Sequence, residues 1–138
     1  ALRRAALAPS ALWLAAPPRP PLQGEYRLLP QRLENGQPVW RQAAGEGWLF
    51  ADPGGCWLLC GHEPRAGKNR AQLRSAAPHA GKWPHEVDVW KYADGSGGWF
   101  TDSVRAIRVS TDEATAASVL ANYGYHATAG SEPGGSVA

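Results

Sequence analysis

Cys60 and His62, separated by one glycine, are the residues of this chain best placed to do chemistry. With His79, His85 or Cys56 they offer thiolate and imidazole ligands for a borderline-soft cation. Zinc sites draw their ligands from two closely spaced pairs, and only this half-site is present. Cys60 beside His62 or His79 is also the one pairing suited to a cysteine nucleophile and its base. Both cysteines, however, bound the apolar run Trp57-Leu58-Leu59. Apolar burial raises a thiol's pKa and makes it inert. Two structural thiols are the expected outcome, with no catalytic residue, no metal and no cofactor.

The other chemical patterns weaken in the same way. Asp88 and Asp102 would flank a glycosidic bond only if the fold brought them together. Gly95-Ser96-Gly97-Gly98 is glycine-rich but joins two strands, whereas a phosphate loop joins a strand to a helix. Arg65, Lys68, Arg70 and Arg74 crowd one stretch with a single acid, Glu63. The whole chain carries a net charge of only +2, so nucleic acid is not an expected partner. The same stretch suits an acidic patch on a partner protein equally well.

Aromatic residues set the rest of the reading. The chain holds seven Trp, two Phe and no Met, so indoles must supply much of the buried area. Trp40, Trp48 and Trp57 fall within expected strands and are assigned to the core. Trp83, Trp90 and Trp99 lie near turns. They form the alternative functional reading, a platform for carbohydrate or peptide.

The elements that position these residues are short hairpins. Glu25 to Arg32 reads as a strand, Asn35-Gly36 as a tight turn because both residues tolerate positive φ, and Pro38 to Arg41 as the returning strand. Gly47 to Ala51 leads into Asp52-Pro53-Gly54-Gly55, where Pro second and Gly third suit a type II turn. Cys56 to Cys60 is apolar throughout and predicts a central strand. In it the two sulfurs stand about 13 Å apart, too far for a disulfide. A short strand at Ala71–Ser75, an alternating segment from Val87 to Tyr92, and strands at Trp99–Thr101 and Arg105–Val109 follow. Ser110 with Glu113 fits a capping box, opening a helix that Gly124 ends.

The ordered set Asn35-Gly36-Gln37-Pro38-Val39-Trp40, Trp48-Leu49-Phe50, Gly55-Cys56-Trp57, Pro78-His79, Trp83-Pro84-His85, Trp90 and Asp94-Gly95 through Trp99 resembles a Trp-rich NGxPxW β repeat. That repeat belongs to dinoflagellate, other algal and protist proteins. The resemblance covers about residues 24–110. It implies a compact β building block and carries no established activity.

These readings combine into a mainly β domain: a small antiparallel sheet or barrel of short hairpins with one C-terminal helix. The expected organisation is an extended Ala/Arg/Pro-rich arm over 1–23, a Trp-rich β domain over 24–110, a helix over 111–126 and a Gly/Ser-rich tail over 127–138. Arg3 and Arg4 followed by a short apolar stretch resemble the remnant of a targeting signal. The expected function is a non-catalytic accessory subunit of an organellar membrane assembly, photosynthetic and thylakoid-associated. A mitochondrial or cytoplasmic setting is the alternative. Its partners would be other protein subunits, through which it would associate with the membrane. They would be met through Arg3, Arg4, Trp13 and the basic residues Arg65, Lys68, Arg70 and Arg74.

Overall fold

Period-two alternation begins earlier in the chain than its composition suggests. The computed structural model describes residues 7–65 and 69–131, with side chains as far as residue 122. In it, Ala11–Ala15 (β1) is a strand whose Leu12 and Leu14 are buried. Eight more strands follow: Gly24–Glu34 (β2), Gln37–Gln42 (β3), Trp48–Ala51 (β4), Trp57–Cys60 (β5), Ala71–Ser75 (β6), Trp90–Ala93 (β7), Trp99–Thr101 (β8) and Arg108–Ser110 (β9). All nine lie in one antiparallel sheet, curled into a half-barrel, in the order β8-β7-β6-β5-β4-β3-β2-β1-β9. The chain meanders from β1 to β8, then returns to place β9 against β1.

This pairing corrects the expectation of an N-terminal arm. Trp13 sits opposite Glu25 on one side and Ser110 on the other, so it belongs to the interior of the sheet. Leu12, Ala15 and Ala16 are fully buried. The Ala and Pro content masked two leucines at strand spacing. Arg3 and Arg4 lie outside the described residues, as does the tail from residue 132 onward.

The register assigns each residue to a face. On the inner face, Leu28, Trp40, Leu49, Leu59, Leu73, Tyr92 and Phe100 stand opposite one another across β2 to β8. Around this row collect Leu12, Leu14, Leu22, Trp57, Trp90, Ile107 and Val109, the main core. Its centre is aromatic: Trp40 meets Trp57 edge-on at 5.7 Å and Trp83 edge-on at 6.5 Å, the geometry that indole quadrupoles favour. A smaller core of Val39, Trp48, Phe50, Leu58 and Cys60 occupies the outer face. Two cores explain why every residue of β4 and β5 is buried and why the Cys56–Cys60 run lacks polar residues.

Turn chemistry follows the sequence with two corrections. Asn35 and Gly36 take φ of 53° and 79°, as a hairpin turn with two left-handed residues requires. At Asp52–Gly55 the residue with positive φ is Gly55, at 94°, and not Gly54. The Gly55 N–H reaches the Asp52 carbonyl at 3.0 Å and the Asp52 N–H reaches the Cys56 carbonyl at 2.9 Å. This is a three-residue loop with a left-handed last residue, in place of a type II turn. The helix Glu113–Ser131 (α1) is capped by Asp112, whose carboxylate accepts the Thr115 N–H at 2.7 Å. Ser110 remains in β9. The cap-competent residues run together from Ser110 to Asp112, and ladder pairing claims the first of them. The bounds of α1 also extend past Gly124.

Polar groups close the mouth of the half-barrel. Gln42 is buried, and its amide donates to the carbonyls of Pro21 at 3.0 Å and Gln23 at 2.8 Å while accepting the Gly47 N–H at 2.8 Å. Tyr26 hydroxyl donates to the Leu22 carbonyl at 2.6 Å. Arg19 donates to the Ala93 carbonyl and stands over the Tyr92 ring. The Pro-rich segment is thereby fastened across the core.

Candidate interaction site

The two edges of the sheet are treated differently by the chain. β9 is overlaid by α1 and by the 3-10 turn Pro84–Glu86. Among the described residues, β8 pairs only with β7. Hydrogen bonds from Asp102 N–H to the Trp90 carbonyl and from Asp94 N–H to the Gly98 carbonyl fix the phase of the β7–β8 ladder. By antiparallel alternation, Phe100 then bonds inward to Tyr92 while the N–H groups of Trp99 and Thr101 turn away from β7. The strand Trp99-Phe100-Thr101 carries no charge and no proline, and its three-residue length is its one guard against edge pairing.

Apolar side chains surround this edge. Phe100 is 53% exposed and Val104 71% exposed. Phe100 packs against Tyr92 at 5.3 Å between ring centroids, so the inner-face row runs out of the core into solvent. Val104 is held by its own loop. The buried Asp102 carboxylate accepts the Ile107 N–H at 2.7 Å, and its carbonyl accepts the Arg105 N–H at 3.3 Å. Arg105 also pairs with Asp88 at 2.8 Å. At the other end, the Asp94 carboxylate accepts the N–H groups of Ser96 at 2.8 Å and Gly98 at 3.0 Å. The Ser96 and then the Gly98 backbone bonds hold its pKa below the usual carboxylate range. The edge is therefore displayed between two fixed turns.

The residues singled out from sequence do not converge. Trp90 is completely buried, and its indole N–H has no partner among the described residues. Trp83 packs against the inner core beside Trp40. Trp99 lies on the outer face with the Arg74 guanidinium 5.2 Å from its ring centre. The three cannot form the open platform expected of them, because strand parity sends Trp90 inward and Trp99 outward. Trp40, Trp48 and Trp57 are buried as expected.

Cys60 is fully buried in the outer-face core, and burial pushes its thiol up to about 12. His62 uses both ring nitrogens locally. Nε2 accepts the Arg70 N–H at 3.0 Å, which leaves Nδ1–H to donate to the Glu63 carbonyl at 2.9 Å. Cys56 and Cys60 are both free thiols. Asp88 and Asp102 serve different bonds, one to the Arg105 guanidinium and the other to backbone. Among the basic residues, Arg65 and Arg70 are exposed, Arg74 is engaged with Trp99, and Lys68 lies outside the described residues.

Sequence reasoning missed Phe100, Val104 and Asp102 as a unit. The available signal was Trp99-Phe100-Thr101 ending in an acid at a glycine-bounded strand, but nothing local marks a strand as an edge. Compared with family models, with curated proteins and with solved structures, the chain matches none of them. The geometry of the site is thus the basis for its functional reading.

Proposed function

We propose that this domain is a non-catalytic accessory subunit that docks onto a partner protein along β8. The observation that carries the reading is the exposure of Phe100 and Val104 beside outward-facing backbone N–H groups on the short edge strand β8. Strand addition uses both features: main-chain bonds supply affinity, and pockets for alternate side chains supply specificity. Fixed turns on either side mean that little ordering entropy opposes binding. In this proposal the partners are subunits of a larger assembly, an organellar membrane complex being the setting expected from sequence, and membrane attachment runs through them.

The test is co-purification from the native source with mass spectrometry, comparing the wild-type chain with the Phe100→Asp/Val104→Asp variant. Both substitutions fall on exposed positions, so circular dichroism should report an unchanged fold. Loss of the same partners from the folded variant supports docking at β8. Recovery of the wild-type chain alone, or equal recovery of partners by the variant, overturns it.

A further inference from the structure

We propose that the outer face of β2 and β3 holds an oxyanion groove, built on Arg27 and Arg41, that takes the carboxylates of an acidic segment of a partner protein. The register sets Arg27 directly opposite Arg41, and like charges so placed repel. Their mutual repulsion is relieved further when an anion lies between the two cations. Beside them is a hollow of about 340 Å3 lined by Arg27, Leu29, Arg41, Gln42, Ala43 and Gly45.

Both guanidinium groups keep N–H groups available for a ligand. Arg41 is exposed, and among the described residues no carboxylate forms an ion pair with it. Its guanidinium carbon stands 5.2 Å from the centre of the Trp48 ring. Stacking on an indole occupies the flat face of a guanidinium and leaves its N–H edge for a bidentate bond to an oxyanion. Arg27 gives its Nε to Glu25 at 3.2 Å, and its two terminal nitrogens remain for a ligand. Arg32, 5.3 Å from the same Trp48 ring, is already engaged by Glu63 at 2.7 Å and Glu34 at 3.4 Å. On β2 and β3, Arg41 is thus the arginine without an ion pair among the described residues, and Arg27 stands opposite it with its terminal nitrogens available.

Leu29 selects among anions. It adds an apolar wall to the hollow, which offers nothing to a bare phosphate but packs the methylenes of a glutamate side chain. The groove belongs to the opposite half of the sheet from β8 and does not depend on docking there.

The test uses the full chain at fixed ionic strength, titrated by calorimetry and amide NMR with three probes. These are an acetylated, amidated glutamate-rich octapeptide, its glutamine counterpart, and sodium phosphate. The glutamate peptide is expected to bind and to shift the amides of Arg27, Leu29 and Arg41, while the glutamine peptide does not. Arg41→Gln should weaken binding by about tenfold, as loss of a charge-assisted bidentate bond implies. Arg27→Gln should weaken it less, and Arg65→Gln and Phe100→Asp should leave it unchanged. Equal loss in Arg65→Gln, retained binding in the Arg27→Gln/Arg41→Gln variant, phosphate binding as tight as the glutamate peptide, or no shift at all would each overturn the proposal.

Discussion

The β1–β9 end of the sheet and the β7–β8 end are built from the same alternation, yet one is sealed and the other left open. At the sealed end, Leu12, Leu14, Ile107 and Val109 are all buried, and α1 lies over β1 and β9. At the open end the inner-face row continues through Tyr92 to a Phe100 that is half in solvent. The contrast teaches that an apolar residue on the core side of a strand becomes core only when another part of the chain covers it. Where the covering segment ends, the same residue is left half in solvent.

The sharpest break of this comparison lies within one row. Trp40→Ala should cost about 3–5 kcal/mol of unfolding free energy, the range for removing a fully buried large aromatic, as measured by chemical denaturation. A smaller loss would mean that the indole cluster is not the centre of the core.

Leu14→Ala tests the sealed end. A cost of about 2–5 kcal/mol is expected for a leucine at 2% exposure in an interior strand. A change near zero would return residues 11–15 to the status of a dispensable arm.

The outer-face core is tested by pH. The folded state holds Cys60 as a neutral thiol with a pKa raised from 9.0 to about 12, and burial likewise raises that of Tyr26 in the main core. A raised folded pKa means that stability is complete below the ordinary value and lost as pH climbs past it, because the unfolded chain releases its proton first. The contribution of Cys60 should fall by about 1 kcal/mol by pH 10, seen as a lower denaturation midpoint. In the same window the native thiol should resist alkylation until the protein unfolds. Rapid labelling of folded protein at pH 8 would contradict the burial.

The smallest effect is expected at the open end. Phe100→Ala should change stability by about 0.5 kcal/mol or less, as at ordinary surface positions. A loss comparable to that of Trp40→Ala would mean that Phe100 is core, and the proposed docking edge would lose its basis.

Much of the local structure was legible because its causes are local. Asn35-Gly36 needs no distant contact to form a left-handed turn, and Ala71–Ser75 has the bounds expected from its flanking residues. The polarity of Cys56 to Cys60 also reported burial on both faces. Other features were hidden by competition between equally good local choices. Asp112 took the cap from Ser110 because Ser110 pairs with Trp13 across β1–β9. β2 kept its pairing past Pro30 by a shift of register between Leu28 and Leu33, with Gln31 at φ 62°. That irregularity lies between Leu29, which packs on the outer-face core, and Arg32, which reaches Trp48.

The sequence alone determined a mainly β chain of short hairpins with Trp40, Trp48 and Trp57 in the core, because turn propensity and period-two alternation act over a few positions. Only the tertiary structure decided that β1 is interior, that Trp90 is buried, that Phe100 ends the inner-face row half in solvent, and that Arg27 stands opposite Arg41 on the outer face. Those outcomes depend on which strands become neighbours and which edge the chain covers, and both are set by contacts between residues far apart in the sequence.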